Sequence, residues 1–221
     1  MNILSGVTGD VKRIYDGRRR AVGSQATRRR ILDAARTSFL ERGYRATTMK
    51  GLAAAAQVHV DTVYELVGRK PDLARTLVEH ALSGVDEVVP AEQRSYVAAI
   101  RAEPDPRRKI AIYAGATRAM LERVAPLFVV LRDAASSDHI ARQVWRSFSE
   151  RRALNMREFV RDVADAAGGL RDGMSTEEAA DTVWVTNSPA VYLMLTDERG
   201  WSSRRYERWL LDTWARLLLD G

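Results

Sequence analysis

Apolar residues recur at helical spacing along most of the chain, and the breaks between the first runs predict three short helices. The first run lies between a candidate N-cap at Thr27 and an expected stop at Gly43. A second run follows a candidate cap at Thr48, and after a break around Gln57 a third run ends at Gly68. Three short helices, the last two joined by a tight turn, are typical of a helix-turn-helix.

The remaining residues predict longer helices and no strand. These helices are expected to begin near Pro71, Pro106, Pro126, Asp138, Ser175 and Ser203. Ser175 and Glu178 have the spacing of a capping box, and Pro189 is expected to interrupt the helix that follows them. The chain is therefore predicted to be all-α, with a small N-terminal helix-turn-helix domain and a larger C-terminal helical domain.

The same pattern divides the chain into three regions. Residues 1–26 contain four glycines and little apolar periodicity, so they are expected to form a flexible arm. Residues 27–73 are predicted to be the helix-turn-helix domain, and residues 74–221 the larger helical domain. With 221 residues, of which 46% are hydrophobic, the chain is long enough to bury a core in each domain.

Positive charge is concentrated at the N-terminal end. Among residues 1–30, eight lysines and arginines stand against two aspartates, and this excess equals the formal net charge of +6 of the whole sequence. Such a basic arm indicates contact with the phosphates of nucleic acid or, as an alternative, with anionic lipid. A solvated tail without a partner is the remaining interpretation.

Several classes of chemistry are excluded or disfavoured by what the sequence lacks. Without cysteine there is no disulfide, thiol nucleophile or cysteine-ligated zinc site. The three histidines have no ligand spacing, and neither a glycine-rich phosphate loop nor a nucleophile elbow occurs. No apolar run is long enough to span a membrane, and a signal peptide's apolar centre is missing. We therefore expect a cytoplasmic protein without catalytic residues, metal, cofactor or membrane partner.

An ordered set of small, aromatic and basic residues recurs at fixed spacing between residues 27 and 80. The set comprises Gly43-Tyr44, Ala46-Thr47-Thr48-Met49, Leu52-Ala53, Val58, Thr62-Val63-Tyr64, Lys70 and Leu73. It resembles the DNA-binding region of tetracycline-repressor-type (TetR family) regulators. The resemblance implies a homodimeric transcriptional regulator that binds double-stranded DNA and a small-molecule effector, with repression of a palindromic operator as the expected outcome.

The resemblance also implies which residues contact DNA. Thr48 is expected to cap the second helix and contact phosphate, and Lys50 to reach a base edge or the backbone. Residues 59–64 are expected to lie in the major groove, with Tyr64 and Lys70 holding phosphates. The full expected set is Arg28, Arg29, Thr48, Lys50, His59, Val60, Asp61, Thr62, Tyr64, Glu65 and Lys70.

Two acidic residues set the third helix apart from the family pattern, in which neutral or basic groups are commoner. Asp61 either complements the helix macrodipole from the first turn or accepts a hydrogen bond from cytosine N4. Glu65 lies one turn further on, where it cannot serve the macrodipole. We expect it to lower non-specific affinity for DNA and to sharpen sequence selection. Only a base that donates a hydrogen bond compensates for the desolvation of a carboxylate that faces DNA.

Aromatic and polar residues of the larger domain are candidates for an effector pocket, with ordinary core packing as the alternative for each. They are Tyr113, Met120, Phe128, Trp145, Phe148, Met156, Trp184, Asn187 and Tyr192. Asn187 is the most informative, because a buried polar group beside the helix-interrupting Pro189 is costly without partners.

The last helix has a wide apolar face that needs to be covered. We expect Trp209, Trp214 and Leu217 to lie in a dimer interface. Two other functions remain open from the sequence alone. One is a non-specific architectural DNA-binding protein that relies on the basic arm, and the other is a small-molecule-binding module without a DNA function.

Overall fold

The computed structural model describes residues 7–84 and 89–220, with side chains from Val22 onwards. Helices account for its regular structure, and no strand occurs among these residues, which confirms the predicted all-α fold. The helices are α1 Val7–Ala46, α2 Met49–Ala56, α3 Val60–Val67, α4 Lys70–Ser83, α5 Ser95–Ala102, α6 Pro106–Ser137, α7 His139–Ala164, α8 Thr176–Thr186, α9 Pro189–Leu193 and α10 Ser203–Leu218. A 3-10 turn precedes α5, and a π-helical turn follows α9.

The chain divides into two compact units, the first ending at Leu73 and the second beginning at Ala74. Helix α4 therefore contributes residues to both units. Within the described residues, no helix combines the length and the apolar character that crossing a membrane requires.

In the first unit, α1, α2 and α3 pack around a small apolar core. Ile31, Phe39, Leu52 and Val63 are among its fully buried side chains. The predicted cap of the second helix is confirmed, because the Thr48 hydroxyl accepts a hydrogen bond of 3.1 Å from the Gly51 amide. A helix-turn-helix results, with α3 as its second helix.

The structure corrects the predicted start of the first helix. Its backbone is helical from Val7, and Thr27 lies inside the helix, where its hydroxyl donates to the Gly23 carbonyl instead of capping a terminus. No proline interrupts this segment, and a glycine inside a helix costs only about 1 kcal/mol. Of the predicted flexible arm at residues 1–26, residues 1–6 lie outside the described residues, and the backbone of residues 7–26 is helical instead of flexible. At Gly43, by contrast, a φ of 78° breaks the helix as expected.

Pro126 does not begin a new helix, and that prediction is wrong. Helix α6 continues through it, although proline removes one backbone hydrogen bond. The flanking residues Ala125, Leu127 and Phe128 are buried, so packing holds the segment helical despite that loss. The other predicted breaks occur: Ser175 and Glu178 form a capping box, and α8 ends just before Pro189.

The core of the second unit contains a stack of aromatic rings from three helices. Tyr113 of α6 lies 4.0 Å from Phe159 of α7 and 5.5 Å from Trp214 of α10, measured between ring centroids. Trp214 also donates from Nε1 to the Thr186 hydroxyl at 2.7 Å. Its side chain is 0% exposed within the single chain, so the expectation that it lies in a dimer interface is wrong. Helix periodicity alone does not distinguish an apolar face buried within the subunit from one that covers a partner.

Gln57 offers a direct test of the turn geometry between α2 and α3. Its φ of 55° is the left-handed conformation, and it is the one residue other than glycine with a positive φ among those described. Since the side chain is exposed, Gln57→Gly should relieve backbone strain and raise the free energy of unfolding by about 0.5 kcal/mol. Gln57→Val should lower it by about 1 kcal/mol, because a β-branched residue tolerates this conformation least.

Urea unfolding of the two variants beside the parent protein measures this difference. If glycine and valine destabilise the protein equally, the left-handed turn is not the conformation adopted in solution.

Candidate DNA-binding surface and effector cavity

Helix α3 presents a polar face to solvent because its apolar residues face the core. Val63 and Val67 are buried, whereas Asp61, Tyr64 and Glu65 are exposed, Tyr64 to 47%. Val60 and Thr62 are half-buried. The recognition face expected from the sequence is therefore available, with two carboxylates on it. Its contacts with DNA stay a prediction.

The residues that flank α3 are also brought to the surface of the first unit. Thr48 and Lys50 lie exposed at the start of α2, and His59 at the start of α3 forms no side-chain cap. Four backbone amides at a helix start lack helical partners, so the Thr48 end of α2 suits an anion such as phosphate. Arg28 and Arg29 lie within α1 and not at a helix start, the first half-buried and the second exposed.

Lys70 has an intramolecular role that the sequence did not predict. Its ammonium donates to the carbonyl oxygens of Tyr44 at 2.8 Å and Thr47 at 3.0 Å, and lies 4.2 Å from the centre of the Tyr44 ring. These carbonyls belong to the end of α1 and the turn after it, where backbone acceptors lack helical donors. Lys70 thus holds the first residue of α4 to that turn. The expected phosphate contact of Lys70 stays a prediction.

The second unit encloses a cavity of about 320 Å³, within the range of small-molecule sites. Its walls come from α4, the segment around α5, α6, α7 and the α8–α9 junction. Six of the nine candidate effector residues line it, and they are Tyr113, Met120, Phe128, Phe148, Met156 and Asn187. The sequence thus located most of the apolar wall, although effector binding by these residues stays a prediction.

The other three candidates lie away from this cavity, and their expected placement is corrected. Trp145 and Trp184 line a separate outer pocket of about 220 Å³, which Phe128 also borders. Tyr192 lines neither and packs against Tyr206, with 5.0 Å between ring centroids. Aromatic residues at helical spacing point to several sides of a helix bundle, so composition alone overstates the size of one pocket.

Sequence reasoning missed the charged part of the cavity, which includes Arg94, Arg151 and Arg152. Helical spacing does indicate a place for Arg152 in the cavity, since Phe148, Arg152 and Met156 are spaced four residues apart and share one face of α7. Burial is the main cause that lowers the pKa of Arg152, to about 10. The guanidinium Nη2 donates to Asn187 Oδ1 at 2.6 Å and also to the Trp184 carbonyl. Asn187, as expected of a buried amide, is hydrogen-bonded.

Comparisons with known proteins bear on both units. Residues 31–74 match the family described as "Bacterial regulatory proteins, tetR family". The N-terminal region of the chain is thus similar to the TetR family of regulators. The expected resemblance is thereby confirmed. No curated protein matches this chain in sequence.

Solved structures share the fold of this chain over nearly its whole length. NalD of Pseudomonas aeruginosa, the secondary repressor of the MexAB-OprM multidrug efflux pump, has a TM-score of 0.69 at 22% identity, covering 90% of this chain and 98% of its own. A regulator from Saccharomonospora viridis in complex with choline has a TM-score of 0.67 at 17% identity, covering 89% and 100%. At such identities these likenesses concern the fold.

Within the described residues, no group of three or more histidine, aspartate or glutamate side chains is placed to hold a metal ion. Among the described residues, the polar face of α3 and the partly apolar cavity are the candidate sites.

The role of Lys70 can be measured through stability. Lys70→Met should lower the free energy of unfolding by about 1–3 kcal/mol, because two backbone carbonyls lose their charged donor. Lys50→Met is the matched control, since Lys50 is exposed and should change stability by less than about 0.5 kcal/mol. Urea denaturation followed by circular dichroism gives both values. Equal effects of the two substitutions would contradict the role assigned to Lys70.

Proposed function

We propose that the protein is a homodimeric repressor that binds a near-palindromic operator and is released from it by a small-molecule effector. The observation that carries this proposal is the composition of α4. At its start Lys70 is hydrogen-bonded to the turn after α1, and nearer its end Glu79, Leu82 and Ser83 line the cavity. One helix thus contains residues of the DNA-binding unit and of the cavity wall.

On the DNA side, we assign base reading to the exposed face of α3 and backbone contact to its surroundings. His59, Asp61 and Glu65 have polar tips that can meet base edges in a major groove. Thr48, with the amides at the start of α2, and the Tyr64 hydroxyl suit phosphate oxygens. Asp61 and Glu65 add selection rather than affinity, since phosphates repel both.

On the effector side, the cavity supplies a partly open, largely apolar site that is also lined by polar and charged groups. Its volume and mixed lining are those of small-molecule sites. The likeness to a regulator solved with choline supports a small-molecule effector, and the likeness to NalD, a repressor, supports repression. The function proposed is non-enzymatic, and the cytoplasm is the compartment in which such a regulator meets its DNA.

Release from DNA requires that the effector prefer one conformation of the protein over another. In the DNA-bound conformation, a dimer holds its two α3 helices about one DNA turn, roughly 34–36 Å, apart. An effector that binds more tightly to a conformation with another spacing shifts the equilibrium away from DNA. Helix α4 is the element through which we expect the shift to act, because its two ends carry the residues concerned.

Homodimerisation is proposed from apolar residues that the single chain leaves exposed. Leu217 on α10 is 41% exposed, and Trp184 and Val185 on α8 are 36% and 54% exposed. Trp209 is half-buried and packs against Trp201 and Tyr206. Leu217 and Trp209 therefore stay candidates for the expected interface, and Trp184 and Val185 are added to them.

Selection of bound duplexes from a random pool, at moderate salt and with the full-length protein, tests this function. Enrichment of a palindromic consensus is the expected result. Binding without a preferred sequence would replace the proposal by a non-specific architectural role. Absence of duplex binding would leave a small-molecule-binding module without a DNA function.

Glu65 on α3 gives a sharper test of selectivity for DNA sequence. Glu65→Gln should raise affinity for random duplex DNA about two- to fivefold at low salt, because one repulsion from phosphate disappears. Glu150→Gln makes the same change of charge at an exposed position of α7 in the second unit and serves as the control. Fluorescence anisotropy with a labelled random duplex measures both. Unchanged random binding by the Glu65 variant would count against a DNA-facing role of this carboxylate.

A further inference from the structure

The cavity of the second unit contains more positive than negative groups. Arg94, Arg151 and Arg152 line it together with two acids, Glu79 and Glu92. Arg151 is paired with Glu79, with 3.5 Å between Nη2 and Oε1. For Arg94 and Arg152, no carboxylate of the described chain lies within the 4 Å of an ion pair. Two guanidinium groups therefore border the cavity without a neutralising partner in the part of the molecule that is described.

Both arginines also have hydrogen-bonding capacity that protein groups do not use. The hydrogen bonds of Arg152 to Trp184 and Asn187 leave from Nη2 alone, so Nε and Nη1 donate to no described group. The Nε atom of Arg94 is buried without a hydrogen-bond partner among the described residues, and its Nη2 reaches only the Val89 carbonyl at 3.4 Å. A buried unsatisfied donor is costly, and more so when it is charged.

Arg152 is held in one orientation, which prepares it for a ligand. The guanidinium carbon lies 4.6 Å from the centre of the Trp184 ring, and Asn187 Oδ1 accepts from the Nη2 end. The stacking and the two hydrogen bonds of Nη2 leave Nε and Nη1 as unused donors. Each can donate a charge-assisted hydrogen bond to a carboxylate oxygen.

Other residues that line the cavity are apolar. Met120, Phe128, Phe148 and Met156 line the same cavity and carry no charge. Aromatic and thioether side chains accommodate hydrocarbon of varied shape. The cavity thus combines two arginines that lack a counter-charge with apolar side chains.

We propose that the effector of this protein is an amphipathic carboxylate, whose acid group is bound by Arg152 and Arg94 and whose hydrocarbon part lies among Met120, Phe128, Phe148 and Met156. The inference rests on the proposed function in taking this cavity as the effector site. A cation such as the choline of the Saccharomonospora viridis structure would lie beside two uncompensated guanidinium groups. A neutral amphiphile would leave both of them without a counter-charge.

Three probes of equal chain length and different charge test the proposal without DNA. Octanoate, octanol and octyltrimethylammonium are each titrated into the full-length protein at low ionic strength, with isothermal calorimetry and thermal unfolding as readouts. We expect octanoate to bind at least about tenfold more tightly than either other probe, since charge-assisted hydrogen bonds accompany the same hydrocarbon burial. Equal or tighter binding of octanol or of the cation, or no binding of octanoate, would overturn the proposal.

Substitutions at the arginines locate the acid group. Arg152→Gln and Arg94→Gln should each weaken octanoate binding by about tenfold or more and leave octanol binding nearly unchanged. Arg157→Gln, at an exposed position of the same helix as Arg152, is the matched control and should bind octanoate like the parent. Arg152→Lys keeps the charge but loses the planar set of donors, so it should show an intermediate loss. Unchanged octanoate binding by properly folded Arg152 and Arg94 variants would refute the assignment.

The outcome is separable from that of the proposed function. If octanoate binds through Arg152 but no operator is selected, the chemical class of the ligand stands and the DNA function fails. If an operator is selected and octanoate does not bind, the regulator stands and the ligand class is wrong.

Discussion

The helix break at Asn187–Pro189 is the constraint on which the second unit depends. Because α8 ends before Pro189, its last turn has polar groups that need partners, and three other helices supply them. Tyr206 of α10 donates to the Thr186 carbonyl at 2.9 Å, and Trp214 to the Thr186 hydroxyl. Arg152 of α7 donates to Asn187, whose amide lies 3.4 Å from the Tyr113 hydroxyl of α6. The break therefore joins the aromatic core to one wall of the cavity.

This arrangement also explains the chemistry of the cavity. Burial raises the pKa of Tyr113 and of Tyr206, so both phenols stay neutral and cannot neutralise Arg152. The same burial makes the Arg152 cation costly, and its hydrogen bonds to Asn187 and the Trp184 carbonyl satisfy only part of the guanidinium. A group held in this way is pre-organised for an anion, because little ordering remains to be done when the ligand arrives. Stability of the unit and the ligand recognition that we propose for it thus share the same side chains.

Much of the fold follows from local signals in the sequence. The Thr48 cap, the Ser175–Glu178 box and Pro189 each act within one turn of helix, and each has the predicted local effect in the structure. The predictions for Pro126 and Trp214 are wrong because the structure at both positions depends on tertiary packing. Burial of its neighbours keeps Pro126 helical, and Trp214 is covered by its own chain.

The candidate sites also contain some residues that the sequence predicts and others that it does not. Apolar cavity residues such as Phe148 and Met156 could be predicted from helical spacing, whereas the role of Lys70 could not. Its partners lie more than twenty positions away, and such separation is invisible to periodicity. Arg152 is an intermediate case, because its place between two apolar residues on one helix face was visible, but its missing counter-charge was not.

The central claim is that occupancy of the cavity and binding of DNA are coupled. The most direct measurement is the affinity for octanoate with and without a saturating amount of the selected operator duplex. Coupling is reciprocal, so operator should weaken octanoate binding by the same factor, about fivefold or more, by which octanoate weakens operator binding. Identical octanoate affinity in the free and the operator-bound protein would contradict the account.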